Sequence, residues 1–257
     1  MIVLPHIISL GAGVQSSAMA LMAAHGEITP IPAFAIFADT GDEPGAVYRW
    51  LEKLKAMLPF PVHTVMWSKL SDHLFEWGHS QIPAFVRGAD GKPAMGKRQC
   101  TKHWKIVPIQ RGIRSITNTQ RKHLPDGNFV LWQGISLDEI DRMADSREKW
   151  IKHRWPLIEL RISRRGCLEW MSKHGYDEPP KSACLFCSLK KRVQWQALKK
   201  AGGAEWDLVI DVSRRLAERG EYLTQDLKPI EEIDFSRPLD QHPEFSFRDE
   251  CEGMCGV

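Results

Sequence analysis

Within its first 66 residues the chain sets three short apolar runs, Ile2 to Ser9, Ala33 to Ala38 and Pro61 to Met66, around two helix-like stretches, Ser16 to His25 and Pro44 to Leu58. Runs this short suit strands, and Pro44 suits a first helical turn, where its missing N–H leaves nothing unpaired. Strand, helix and strand in direct succession make a right-handed crossover. The alternation therefore predicts parallel βαβ units and an α/β fold with a doubly wound sheet. Further along, residues 79–98 read as a long Gly- and Pro-punctuated loop or insertion, Thr101 to Ile116 as a helix that Pro108 bends or divides, and Phe129 to Gly134 as the next strand. The stretches after Cys167 are mostly helical, and a Pro-rich acidic tail runs from Leu227. We expect a nucleotide-binding core over 1–160 and a helical, cysteine-bearing extension over 161–257, packed together as one structural unit.

No apolar run reaches the ~18 residues of a membrane span, and the first residues lack a basic region ahead of an apolar one. A cytoplasmic location without membrane partners is the expectation. In that compartment thiols stay reduced, so the six cysteines point to metal or redox chemistry rather than to a disulfide framework.

The formal net charge of +3 hides an uneven distribution. Residues 87–200 carry 25 Lys and Arg against 11 Asp and Glu, so this middle segment is suited to anions, RNA or DNA among them. Trp104, Trp150, Trp155 and Trp195 lie within it as stacking surfaces or as core. A solvated charged face is the plainer account of the same charges.

After the first strand comes Ser9-Leu10-Gly11-Ala12-Gly13-Val14-Gln15-Ser16-Ser17. Gly11 and Gly13 permit a tight turn, and the helix start near Ser16 and Ser17 offers N–H groups to a phosphate. No Gly-Lys-Ser/Thr closes the loop and no third glycine follows, which excludes a Walker loop and a dinucleotide fingerprint. The second strand ends in Asp39-Thr40-Gly41-Asp42-Glu43-Pro44, on the same carboxyl edge. Asp39 suits a metal ion or a ribose hydroxyl and Thr40 the nucleotide, or the two simply open the next helix. Beyond Gly134, Arg142 suits an oxyanion clamp or an ion-paired helix face.

Cys184-Leu185-Phe186-Cys187 is a C-x-x-C, spaced for two ligands of an iron–sulfur cluster or a zinc ion, or for a redox dithiol. A cluster needs about four thiolates. Beyond this pair Cys167 is expected to contribute, with Cys251 and Cys255 as competitors. The terminal pair can instead serve in catalysis, taking up persulfide or forming a disulfide in turnover. His63, His73, His79 and His103 show no ligand or triad pattern.

Taken together, SLGAGVQSS, FADTGDEP, RQCTKHWKIVPI, WQGISLDEIDRMADS and CLFC resemble the phosphoadenosine phosphosulfate (PAPS) reductase-like branch of the PP-loop, or N-type, ATP pyrophosphatases. The resemblance runs in order from about residue 7 to residue 190. It implies a mostly parallel five-stranded sheet with helices on both faces, and ATP with Mg, or PAPS, held by Ser9, Gly11, Gly13, Gln15, Ser16, Ser17, Asp39, Thr40 and Gly134. It implies Asp39 and Arg142 in catalysis, and a 4Fe-4S cluster, with zinc as the alternative, on Cys100, Cys167, Cys184 and Cys187. The ending Glu250-Cys251-Glu252-Gly253-Met254-Cys255 half resembles the family's nucleophilic Glu-Cys-Gly segment.

Three functions follow from the resemblance. The first is an ATP pyrophosphatase that adenylates a substrate and replaces the activated oxygen with sulfur from a sulfur donor, on nucleic acid in some members. The second is a sulfonucleotide reductase acting through Cys251 or Cys255 with a thioredoxin-like partner. The third is a non-catalytic nucleotide-binding accessory protein of a mobile element or CRISPR system. The basic middle segment favours the first.

Overall fold

The computed structural model describes residues 4–236. Five parallel strands form the central sheet: β1 (His6–Ser9), β2 (Phe34–Asp39), β3 (Val62–Met66), β6 (Phe129–Trp132) and β7 (Ile151–Arg154). Their order is β3-β2-β1-β6-β7. The inner strands read as unbroken apolar runs because helices cover both faces, whereas the edge strands β3 and β7 carry polar residues. Ile8, Ala35, Phe37, Val130 and Trp132 face α1 (Val14–Ala24), α2 (Gly45–Met57) and α5 (Arg164–Lys173). Ile7, Phe34, Ile36 and Leu131 face α3 (Val107–Ile116) through Ile109 and Ile113.

The chain winds from β1 toward β3, then returns to add β6 and β7 on the other side of β1. The crevice at the carboxyl ends of β1 and β6 is therefore the topological switch point, where open α/β sheets bind ligands.

Three details add to the outline read from sequence. Residues 79–98 are not all loop: β4 (Phe85–Arg87) and β5 (Pro93–Met95) form a hairpin, and β8 (Glu221–Tyr222) pairs with β4. The helix containing Pro108 is not broken there. A π-helical turn, Thr101–Ile106, passes into α3, and Pro108 falls in the first turn of α3, where no N–H is required. The C-terminal helices divide between two cores. α5 follows the short α4 (Pro156–Glu159) and joins the sheet through Cys167 and Met171, whereas α6 (Arg192–Ala201) and α7 (Gly203–Ala217) pack with Leu70, Leu74, Ile82 and Trp104 in a second cluster. No described helix is long and apolar enough to cross a membrane.

Candidate functional site

The turn between β1 and α1 is tight because Ala12 adopts a positive φ of 56° between two glycines. The Gly11 N–H donates to Ser16 Oγ at 3.2 Å, and that hydroxyl donates on to the Gly13 carbonyl at 3.4 Å, so the loop is closed on its own helix. Gln15, wholly buried, donates through Nε2 to Glu139 Oε2 at 3.1 Å. Glu139 is ion-paired with Arg142. The predicted arginine is thus connected to the glycine loop through one carboxylate.

Two predicted phosphate residues have packing roles. Trp50 Nε1 donates to Ser17 Oγ at 2.9 Å, fastening α2 to α1, and Gly134 lies against the backbone of Ser16. Ser9 is buried at the end of β1.

On the β2 side, Asp39 Oδ1 accepts from the Gly41 N–H at 2.7 Å and from Tyr48 Oη at 2.8 Å. Burial, then this carboxylate, holds the Tyr48 phenol well above its ordinary pKa, so the tyrosine remains a donor. Both bonds fall on Oδ1, which makes Oδ2 the atom that would meet a cation. Gly41 has a φ of +75°, which favours glycine, and a Cβ there would also lie 3.0 Å from Lys69 Cα. Thr40 Oγ1 donates to Glu43 Oε1 at 3.3 Å.

Asp42 and Glu43 are both buried and were not singled out from sequence. Asp42 accepts from the Ser71 N–H and hydroxyl at 2.7 and 2.9 Å, and burial still pushes its carboxyl above the ordinary range. Glu43 pairs at 3.8 Å with Lys105, whose side chain is almost as buried. The only sequence signal was the density of acids in Asp39 to Glu43.

The thiols gather next to this loop. Cys184 shares a hydrogen bond with Cys187. That bond, then burial, then the neighbouring charges of Cys187, Glu43 and Cys100, push its thiol well above the ordinary range. Cys100 and Cys187 pack against the cluster that contains Cys184. Cys167 does not join them. It is fully buried in the core that α5 forms with α1, a different cluster from the one that holds Cys184. Cys251 and Cys255 lie outside the described residues.

The C-x-x-C segment is tied to both loops. Ser182 donates to the Gly11 carbonyl, and the Leu185 N–H donates to the Asp42 carbonyl at 2.7 Å. The glycine loop, the acidic loop and the C-x-x-C segment are thereby joined to one another.

The basic segment is partly neutralised within the fold. Arg154 pairs with Glu159, Arg165 with Glu169, and Arg192 with Asp226 of the acidic C-terminal part. Trp104, Trp150 and Trp195 are buried core residues and cannot act as stacking platforms. The exposed tryptophans are Trp67 and Trp77, at 41% and 54% exposure, stacked on each other with centroids 5.7 Å apart and with His103 against Trp77 at 4.6 Å.

Among the described residues, His25, Glu27 and His174 are the one group of at least three His, Cys, Asp or Glu donor atoms within 4.8 Å of one another. They stand at the far ends of α1 and α5, where His25 also bonds Tyr176 at 2.7 Å.

No family model and no curated protein matches the chain. Among solved structures it is similar to phosphoadenylyl-sulfate (PAPS) reductase from Candida auris in its phosphate complex. That likeness has 13% identity and a TM-score of 0.44, and covers 68% of this chain and 74% of the other. It is similar also to the U34-tRNA thiolase NcsA from Methanococcus maripaludis with its 4Fe-4S cluster, at 14% identity and a TM-score of 0.42, covering 93% and 76%.

Proposed function

We propose that this chain is an adenine-nucleotide enzyme of the PAPS reductase-like PP-loop kind, which activates a substrate with ATP and transfers sulfur to it with an iron–sulfur cluster, the acceptor being nucleic acid. One observation carries the reading: the segment bearing Cys184 and Cys187 is bonded to both the glycine loop and the acidic loop. A metal-thiolate centre and a phosphate site so joined serve one reaction more readily than two.

In this reading Gly11, Gly13 and the start of α1 would hold phosphates, Asp39 would be the residue to hold Mg, and Arg142, ion-paired with Glu139, would stabilise developing negative charge. The donor type suits a cluster, and among the described residues the three thiols do not all lie within 4.8 Å of one another, wider than a single zinc ion would hold them. Cys100, Cys184 and Cys187 supply three thiolates, and the fourth comes from Cys251 or Cys255, since Cys167 is committed to another core. Bound there, a cluster would supply a site for sulfur binding. Each thiol must lose its proton to ligate, and the raised Cys184 pKa makes loading favour higher pH.

The test is anaerobic purification with iron, sulfide and zinc analysis, followed by assays of pyrophosphate release from ATP and sulfite release from PAPS. Bound iron and sulfide with pyrophosphate release stimulated by RNA or DNA is the expected result. Sulfite release with thioredoxin, lost on replacing Cys251 and Cys255, would assign the chain to the sulfonucleotide reductases instead.

A further inference from the structure

The ends of α1 and α5 repeat one device. α1 stops at His25-Gly26-Glu27 and α5 at His174-Gly175-Tyr176, and the two glycines take positive φ angles of 76° and 74°. The Glu27 N–H donates to the Met22 carbonyl at 3.0 Å and the Gly26 N–H to that of Ala23 at 3.1 Å. In the same way the Tyr176 N–H donates to Met171 at 2.9 Å and the Gly175 N–H to Ser172 at 3.1 Å. This paired bonding is that of a glycine cap, and it fixes the residues on either side of the glycine against the helix. Because α1 and α5 share one core, the two caps meet. One donor atom each of His25, Glu27 and His174 then lie within 4.8 Å of one another. α1 has 11 residues, so this place stands roughly 16 Å from the glycine loop at the other end of the helix.

The three side chains are oriented by their neighbours. His174 Nδ1 lies 2.8 Å from the Trp170 carbonyl and must donate to it, so the neutral ring presents the Nε2 lone pair. Metal-ligating histidines are commonly held by such a bond from their second nitrogen. Trp170 also stacks on that ring with centroids 4.0 Å apart, and its Nε1 donates to the two Glu27 oxygens at 3.1 and 2.9 Å. Tyr176 Oη, 2.7 Å from His25 Nε2, orients the third side chain. His174 Nε2 and Glu27 Oε1 stand 3.8 Å apart. That is too long for a hydrogen bond, yet both atoms can lie ~2.1 Å from one ion placed between them. The C-terminal ends of two helices face the same place, and their negative dipole ends favour a cation. Two imidazoles with one carboxylate suit a divalent transition metal, zinc first, whereas calcium and magnesium take oxygen ligands.

We propose that His25, Glu27 and His174 form a site for one zinc ion, which clips the C-terminal ends of α1 and α5 together and keeps a coordination position open to water. The site shares no residue with the glycine loop, the acidic loop or the thiols, and it does not depend on the function proposed for them.

Zinc titration of the full chain, with melting measured in zinc and in chelator, tests this against His174→Gln and Glu27→Gln. The two side chains are 26% and 43% exposed, and glutamine at position 27 keeps an acceptor for Trp170, so both variants should melt in chelator near the natural chain. The natural chain should melt several degrees higher in zinc than in chelator. Each variant should bind this ion at least about tenfold more weakly and lose the melting gain. Cobalt(II) separates the site from the thiols, because cobalt on imidazole and carboxylate gives visible bands without the near-ultraviolet charge transfer of a thiolate ligand. The natural chain should hold such cobalt in addition to any held by thiols, and the variants should lose only that share. Absence of zinc binding, cobalt bound through thiolates alone, or zinc affinity and melting gain unchanged in either variant would overturn the proposal. Should a variant unfold, the cobalt spectrum of the natural chain still decides. Iron content and pyrophosphate release do not enter these readings, so failure of the function proposed above would leave them standing.

Discussion

A Cβ on Gly134 would stand 2.9 Å from both the backbone nitrogen and the Cα of Ser16. The end of β6 thus bears directly on the first turn of α1, and the shape of the glycine loop depends on a missing side chain. Gly134→Ala should destabilise the protein by about 1–3 kcal/mol, the usual cost of overpacking, and weaken MgATP binding. Urea unfolding at unchanged m-value, with a nucleotide titration, checks both.

The Glu43–Lys105 pair gives a second expectation. Removing one member of a buried ion pair leaves an uncompensated charge and costs about 3–5 kcal/mol. Lys105→Met should approach that cost, and Lys105→Met combined with Glu43→Gln should cost less than the two single changes added. A double-mutant cycle on unfolding midpoints reads the coupling.

For the thiols, Cys100→Ala, Cys184→Ala and Cys187→Ala should each abolish iron binding in anaerobically purified protein. Cys167→Ala should retain full iron and lose only stability. Visible absorbance and iron content separate the two outcomes, and an iron-free Cys167→Ala would return that residue to the ligand set.

His153 sets an acid-side dependence. Its folded pKa lies below its unfolded value of ~6.5. The unfolded chain therefore binds the proton more readily, and the stability linked to His153 is complete above ~6.5 and declines as pH falls from there toward the folded pKa. Unfolding free energies measured from pH 7 to 5 should fall less steeply in His153→Gln than in the natural chain.

Nucleic-acid binding should be weaker in salt dependence than the charge count of the middle segment suggests, because Arg154, Arg165 and Arg192 already have carboxylate partners. Each phosphate contact contributes a slope of about −0.7 for single strands. Replacing Lys97 and Lys102 together with alanine should make the slope shallower by about 1.4 if each contacts a phosphate. A variant with the natural slope would exclude those two from the contact.

The sheet was legible where burial wrote it into the residues. β1, β2 and α1 follow from apolar runs that parallel strands and their covering helices require. β7 was not, because an edge strand reading Ile-Lys-His-Arg buries only its first residue and shows no pattern. The glycine loop, Asp39, Thr40 and the C-x-x-C stand out by residue type. Sequence alone does not separate a core thiol from a ligand thiol at Cys167, although its spacing from Met171 is that of a buried helix face. The Glu43–Lys105 pair escaped notice because it joins positions distant in sequence whose burial no local pattern announces.

The bonds from Ser182 to Gly11 and from Leu185 to Asp42 have a consequence for regulation. Any event that pulls residues 182–185 away, such as oxidation of the adjacent thiols, also withdraws two contacts from the loops that frame the nucleotide crevice. If occupancy of the thiol centre changes nucleotide affinity by some factor, nucleotide must change affinity at the thiol centre by the same factor. Damage by oxygen would then register as lost nucleotide affinity, and a bound nucleotide would shield the thiols from that damage.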